Sequence, residues 1–147
     1  MQFELIVRNS GNAPARDVRI GVRIFNAGAD MDQEIDAFYA EPIREQTPPA
    51  FPNLQPGEEA QIRTAVAMPN SVVREINVQG RRLFIPMIAF NVVYDWGDGR
   101  GGQTSKTYLV GTEPQTPSEK MGAFRMDLGP RLYRSVGQRQ VKLERMV

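Results

Sequence analysis

The stretch RNSGNAPARDVRI, Arg8 to Ile20, joins two short apolar runs through a cluster of turn formers and small residues. Before it, QFELIVRN places Phe3, Leu5 and Val7 on one side and Glu4 and Arg8 on the other, with only Ile6 breaking the polar face. Period-two alternation of this kind describes a strand with one buried side. Within the stretch, Asn and Gly tolerate the positive φ of a tight reversal, and Asn9 or Ser10 can bond its own backbone. Pro14 has no N–H to give a central ladder and suits a strand entrance. From Asp17 the alternation is clean: Val18, Ile20, Val22 and Ile24 point one way, Asp17, Arg19, Gly21 and Arg23 the other. The stretch therefore ends one strand, turns the chain and launches the next with its apolar face inward.

Outward from there the pattern repeats. QEIDAFYAEPI predicts a weaker strand around Ile35 to Ile43, with Ile35, Ala37 and Tyr39 on one face. Pro42, Pro48, Pro49, Pro52 and Pro56 then mark an extended connection hostile to helix. LQPGEEA is a turn feeding a strand with Ala60, Ile62, Thr64, Val66 and Met68 inward. PNSVVREINVQG is open between a helical turn and a loop. RRLFIPMIAFNVVYDW, GDGRGG and QTSKTYLVG read as strand, turn and returning strand, with Pro86 at a bulge or an edge. Ala123 to Leu128 supplies one further short strand, and the remainder reads as a terminal extension.

Five or more strands spaced by Gly/Pro turns, without a long amphipathic helix, give an all-β fold: two packed antiparallel sheets, with a closed barrel as the alternative. The expected organisation is a sandwich over 1–114 and a basic extension over 115–147 that adds at most one strand. At 147 residues, one domain can bury roughly two-thirds of its unfolded surface. Net charge is +1, split as −3 over residues 1–114 and +4 over 115–147. There is neither Cys nor His, which removes thiol and imidazole catalysis, disulfides and the usual zinc sites. The run LFIPMIAF, Leu83 to Phe90, is far short of the roughly 20 residues of a membrane helix.

VRNSGNAPARDVRIGVRI, LQPGEEAQIRTAV and FNVVYDWGDGRGGQTSKTYLVG, within residues 3–111, resemble the immunoglobulin-like, adhesion-related repeats called CARDB-like in bacterial envelope proteins. The resemblance implies an immunoglobulin-like β-sandwich and a spacer, adhesion or assembly role in a surface or membrane-anchored chain. It brings no catalytic residues. The single copy and the basic tail after Thr112 depart from the pattern.

Several motifs invite sharper readings. GDGRGG, Gly97 to Gly102, matches G-x-G-x-x-G, but a dinucleotide site needs a helix directly after it and a strand follows here. Asp95 and Asp98 are a weak calcium alternative that needs a third acid, such as Asp30 or Asp32. PPAFP is better read as loop than as a polyproline ligand. Tyr94 and Trp96 share a strand face, with Tyr108 expected across the hairpin, so these three are the candidate ligand-binding residues, for carbohydrate above all. Capping of the core is the competing role of the same rings. In the tail, Arg125, Arg131, Arg134, Arg139, Lys142 and Arg145, with Phe124 and Tyr133, superficially resemble a nucleic-acid strip. A net +4 interrupted by Asp127 and Glu144 favours a solvated linker, with acidic lipid heads or a neighbouring domain as alternatives. The expected function is a non-catalytic structural or protein-interaction module, extracytoplasmic and close to a membrane. It needs no cofactor and no nucleic acid, and its partner is another protein or a neighbouring domain of the same chain.

Overall fold

The computed structural model describes residues 1–114, 120–129 and 136–146. In chain order the elements are β1 (Gln2–Arg8), β2 (Ala15–Asn26), α1 (Met31–Tyr39), α2 (Ile43–Gln46), β3 (Phe51–Leu54) and β4 (Glu59–Ala65). There follow β5 (Ile76–Val78), β6 (Arg81–Phe84), β7 (Pro86–Gly97), β8 (Arg100–Thr112), β9 (Phe124–Arg125) and β10 (Val136–Met146). Among the described residues strand makes up 55% against 14% helix, so the fold is mostly β, as the alternation predicts. Its sheets are antiparallel and, among the described residues, number three where the sequence suggests two: β1–β4, the five-stranded order β10–β8–β7–β2–β3, and β5–β6–β9. Among the described residues none closes on itself as a barrel would.

The opening stretch behaves as its residues require. Asn9 builds the turn with its side chain: Oδ1 accepts from the Gly11 N–H at 2.9 Å, while Nδ2 donates to Ala13 O at 2.8 Å and Leu54 O at 2.9 Å. A bulge between Arg16 and Arg19 with Asp17 at φ 48° then sets the phase of β2. Val18, Ile20, Val22 and Ile24 share the face that meets β1 and β4. On that side Phe3, Phe90 and Tyr108 stack edge to face, the Phe3–Phe90 centroids 6.3 Å apart and the Phe90–Tyr108 centroids 5.9 Å.

The opposite face of the five-stranded sheet is covered by a helix. Residues 31–39 form α1, correcting the strand expected at Ile35 to Ile43. Ile35, Ala37 and Tyr39 alternate like a strand, but Ala37 is exposed and Phe38 is buried. Ile35, Phe38 and Tyr39 are the i, i+3, i+4 stripe of a helix, set against Phe25, Met87 and Ala89. The proline-rich connection also holds more order than expected. One turn of helix, α2, fits between Pro42 and Pro48, and β3 accepts Pro52 because it lies at the sheet edge.

Asp98 at φ 52° and Gly99 at φ 71° close the β7–β8 hairpin between Gly97 and Arg100. Positive φ at both central residues is the type I′ turn that Asp-Gly favours. Pro86 begins β7, and the long apolar run divides there, its first part pairing in the small sheet as β6. Residues 70–72 form a 3₁₀ turn ahead of β5, and β9 gives way to another at Met126–Leu128. The tail is not a solvated linker throughout: Val136–Met146 pairs along β8 from Thr112 back to Thr104. Arg131, Tyr133 and Arg134 lie outside the described residues.

Candidate functional site

A cleft of about 580 Å³ opens where the β1–β4 layer stops short of covering the five-stranded sheet. Its two walls differ in kind. On one side every residue from Leu5 to Ala15 contributes. Consecutive lining of this sort presents the edge of β1 and the turn that follows, because a strand face would offer alternate residues only. On the other side the contributors do alternate: Phe90, Val92, Tyr94 and Trp96 from β7, and Thr104, Lys106 and Tyr108 from β8. That wall is a sheet face.

The β1 edge is unpaired among the described residues, since β4 is the sole neighbour of β1. Met1 exchanges backbone hydrogen bonds with Val66, and Asn9 bonds Glu58 and Gly57. Odd positions therefore face β4. In an antiparallel pair, alternate residues turn both N–H and C=O to opposite sides. The backbone groups of Glu4, Ile6 and Arg8 accordingly point away from β4. Among the lining residues the charged ones are Arg8 and Lys106, both cationic, and no carboxylate is present.

Tyr94, Trp96 and Tyr108 all line this cleft, but not as one platform. Tyr94 pairs with Gly102 across the hairpin and Tyr108 with Ile88. Six residues separate those rungs along β8, about 20 Å at strand rise. The Tyr94 ring lies over Gly102, where an added Cβ would come 2.5 Å from the ring. Trp96, 44% exposed, has the Arg100 guanidinium 5.5 Å from its ring centroid. Tyr108 sits against Phe90 in the core. Tyr94 and Trp96 thus mark the outer end of the cleft and Tyr108 its inner end.

Asp95 and Asp98 are not brought together as a calcium site. Asp95 takes a hydrogen bond from Arg44 Nε at 3.2 Å, and the same arginine donates to Tyr94 O at 2.9 Å. Asp98 occupies the exposed hairpin turn, and Asp32 stands in the first turn of α1. No group of three or more acids capable of holding a metal occurs among the described residues. Arg125, from the tail strip, is committed to Asp127 at 2.6 Å and 2.9 Å. Those hydrogen bonds, with another from the Arg82 N–H at 3.2 Å, hold the Asp127 carboxyl well below the usual carboxylate range.

Sequence reasoning missed a polar cluster buried between α1 and the hairpin. Asn91 Oδ1 accepts from Gln103 Nε2 and Ser105 Oγ, both at 2.8 Å. Gln103 also donates to Tyr39 O at 2.7 Å, and the Tyr39 hydroxyl shares a hydrogen bond with Thr107. No buried side-chain N or O is left without a partner among the described residues. The available signal was the polar parity of Gln103, Ser105 and Thr107 along a strand too central to be solvated. The cluster orients α1 over the sheet.

Comparison of the chain with family models, with curated proteins and with solved structures gives no match.

Proposed function

We propose that this chain is an immunoglobulin-like β-sandwich serving as a non-catalytic structural or protein-interaction module of a bacterial envelope protein. The strand order supports the fold reading. β1 and β4 share one layer while β3, β2, β7 and β8 lie side by side in the other, matching the B, C, C′, E, F and G strands of an immunoglobulin sandwich. The observation that carries the functional reading is the β1 edge, without a neighbouring strand among the described residues, beside a largely apolar cleft. Such an edge is a docking surface for an extended segment.

The test is cell fractionation with an antibody to residues 1–147, reading size and compartment together. A band larger than 16.5 kDa in the membrane fraction is expected. A soluble cytoplasmic band at 16.5 kDa would remove the envelope reading.

A second reading has its own observation, the half-exposed Trp96 beside Tyr94 at the mouth of the cleft. On that reading the module binds carbohydrate or another small ligand there. Trp96 emission that stays constant across a glycan panel would leave the rings as cleft walls.

A further inference from the structure

We infer that Asp98 is a site of spontaneous backbone modification: the Gly99 nitrogen attacks its carboxyl, and the hairpin tip passes through a succinimide to isoaspartate, displacing Trp96 at the mouth of the cleft.

The sequence contains one Asp-Gly pair and no Asn-Gly pair. The pair matters because the attacking nitrogen belongs to the one residue without a Cβ, so no side chain crowds it as the ring closes. The glycines of GDGRGG build no phosphate loop, but they leave this tip free to react. Asp98 stands between Gly97 and Gly99, and a Cβ added at either would meet nothing within 4 Å. The peptide joining Asp98 to Gly99 can therefore swing toward the side chain without a clash.

Neither reacting group is held. Among the described residues no hydrogen bond engages the Gly99 N–H, and no ion pair or hydrogen bond engages the Asp98 carboxylate. The residue is exposed, and the β10 ladder ends with Met146 opposite Thr104, short of the tip. Asp98 also sits at φ 52°, a region costly for a residue with a Cβ. The other side chains of this chemistry differ. Asp95 and Asp127 are bonded to Arg44 and Arg125 and precede Trp96 and Leu128. Asn9 has both amide atoms engaged.

The reaction needs only water. With the carboxyl protonated, the Gly99 nitrogen bonds to Asp98 Cγ and the Cγ–OH bond breaks. The hydroxyl leaves as water with the proton of that nitrogen. A second water then opens the ring. Attack at Cγ restores aspartate. Attack at the backbone carbonyl carbon breaks its bond to Gly99 and leaves the chain running through Cβ and Cγ, with a free α-carboxylate. The product carries an extra backbone atom, for which a two-residue type I′ turn has no room. The Gly97–Arg100 rung is then disturbed, and with it the Arg100 guanidinium over the Trp96 ring.

The experiment keeps the whole chain folded at neutral pH in heavy-oxygen water, beside the same chain unfolded in urea. Isoaspartyl-specific methylation and mass spectrometry of the tip peptide locate the product. Label and isoaspartate are expected at Asp98 at a rate within about tenfold of the unfolded chain, because an exposed turn opens at little free-energy cost. Trp96, the single tryptophan, should shift its emission in step. Asp98→Asn keeps the turn type, loses ammonia in place of water, and should reach the same product several-fold faster. Asp98→Glu, whose ring is one member larger, should show neither label nor emission drift.

Heavy oxygen confined to the unfolded chain would overturn the site. Isoaspartate forming first at Asp95 or Asp127 would overturn its assignment to the tip. Label at Asp98 with unchanged Trp96 emission would overturn the effect on the cleft mouth.

Discussion

Asn91 shows how much rests on a single buried oxygen. Its Oδ1 serves two donors, Gln103 and Ser105, on a side chain that is only 1% exposed. Asn91→Ala strips Ser105 of its acceptor and leaves Gln103 with Tyr39 O alone, and should cost about 2–3 kcal/mol, a drop in Tm of roughly 5–10 °C. Ser105→Ala keeps the Gln103 bond and should cost about 1 kcal/mol; parallel urea titrations check the ranking. Asp127 makes a pH-dependent contribution. Its carboxyl lies lower in the folded chain than the ordinary 3.8, so the unfolded chain takes up the proton first as pH falls. The stabilising effect is complete above the carboxylate range and is lost on acidification. The stability gap between the protein and Asp127→Asn should therefore be constant at neutral pH and shrink below about pH 4; denaturant titrations from pH 7 to pH 2 measure it. Asn9 and Asn91 differed in legibility. Asn9 announced its turn because local side chain-to-backbone bonding needs only its neighbours. Asn91 depends on Gln103 and Ser105 across a hairpin, and alternation read for hydrophobicity alone passes over it.

At the scale of elements, α1 and the sheet beneath it meet at Gly21. A Cβ there would stand 2.9 Å from Ile43 Cδ1 and 3.5 Å from the Phe38 ring. Valine is the better strand former, yet Gly21→Val should destabilise by about 1–3 kcal/mol, because both helices must back away from the sheet. Equilibrium unfolding, with the 222 nm signal reporting the helices, tests this. Gly21 looked like one more outward position of β2, since its neighbour α1 was hidden in the sequence. Nine residues hold too few periods to separate 2 from 3.6 by eye. The hairpin was plain for the opposite reason: Asp98 and Gly99 specify their turn without help from the rest of the chain.

For the whole molecule, the layer arrangement was legible as far as alternating strands permit. The third sheet was not, since β6 and β9 are distant in sequence, Leu83 pairing with Arg125. The cleft was half legible: Tyr94, Trp96 and Tyr108 were read, whereas the β1 edge depends on which strand lies beside which. The type I′ turn has one further consequence, and it concerns time. The hairpin of β7 and β8 is local and can form in about 1–10 μs. By contrast, β2 must bring Ile24 to Ile88 before its apolar face is rewarded, so loop closure limits the overall rate. Gly99→Val, strained at φ 71°, should then slow refolding, while Leu5→Ala on the late-joining β1 should chiefly speed unfolding. Stopped-flow emission of Trp96, two residues from the turn, distinguishes them: the hairpin is the template that must already stand when β2 arrives.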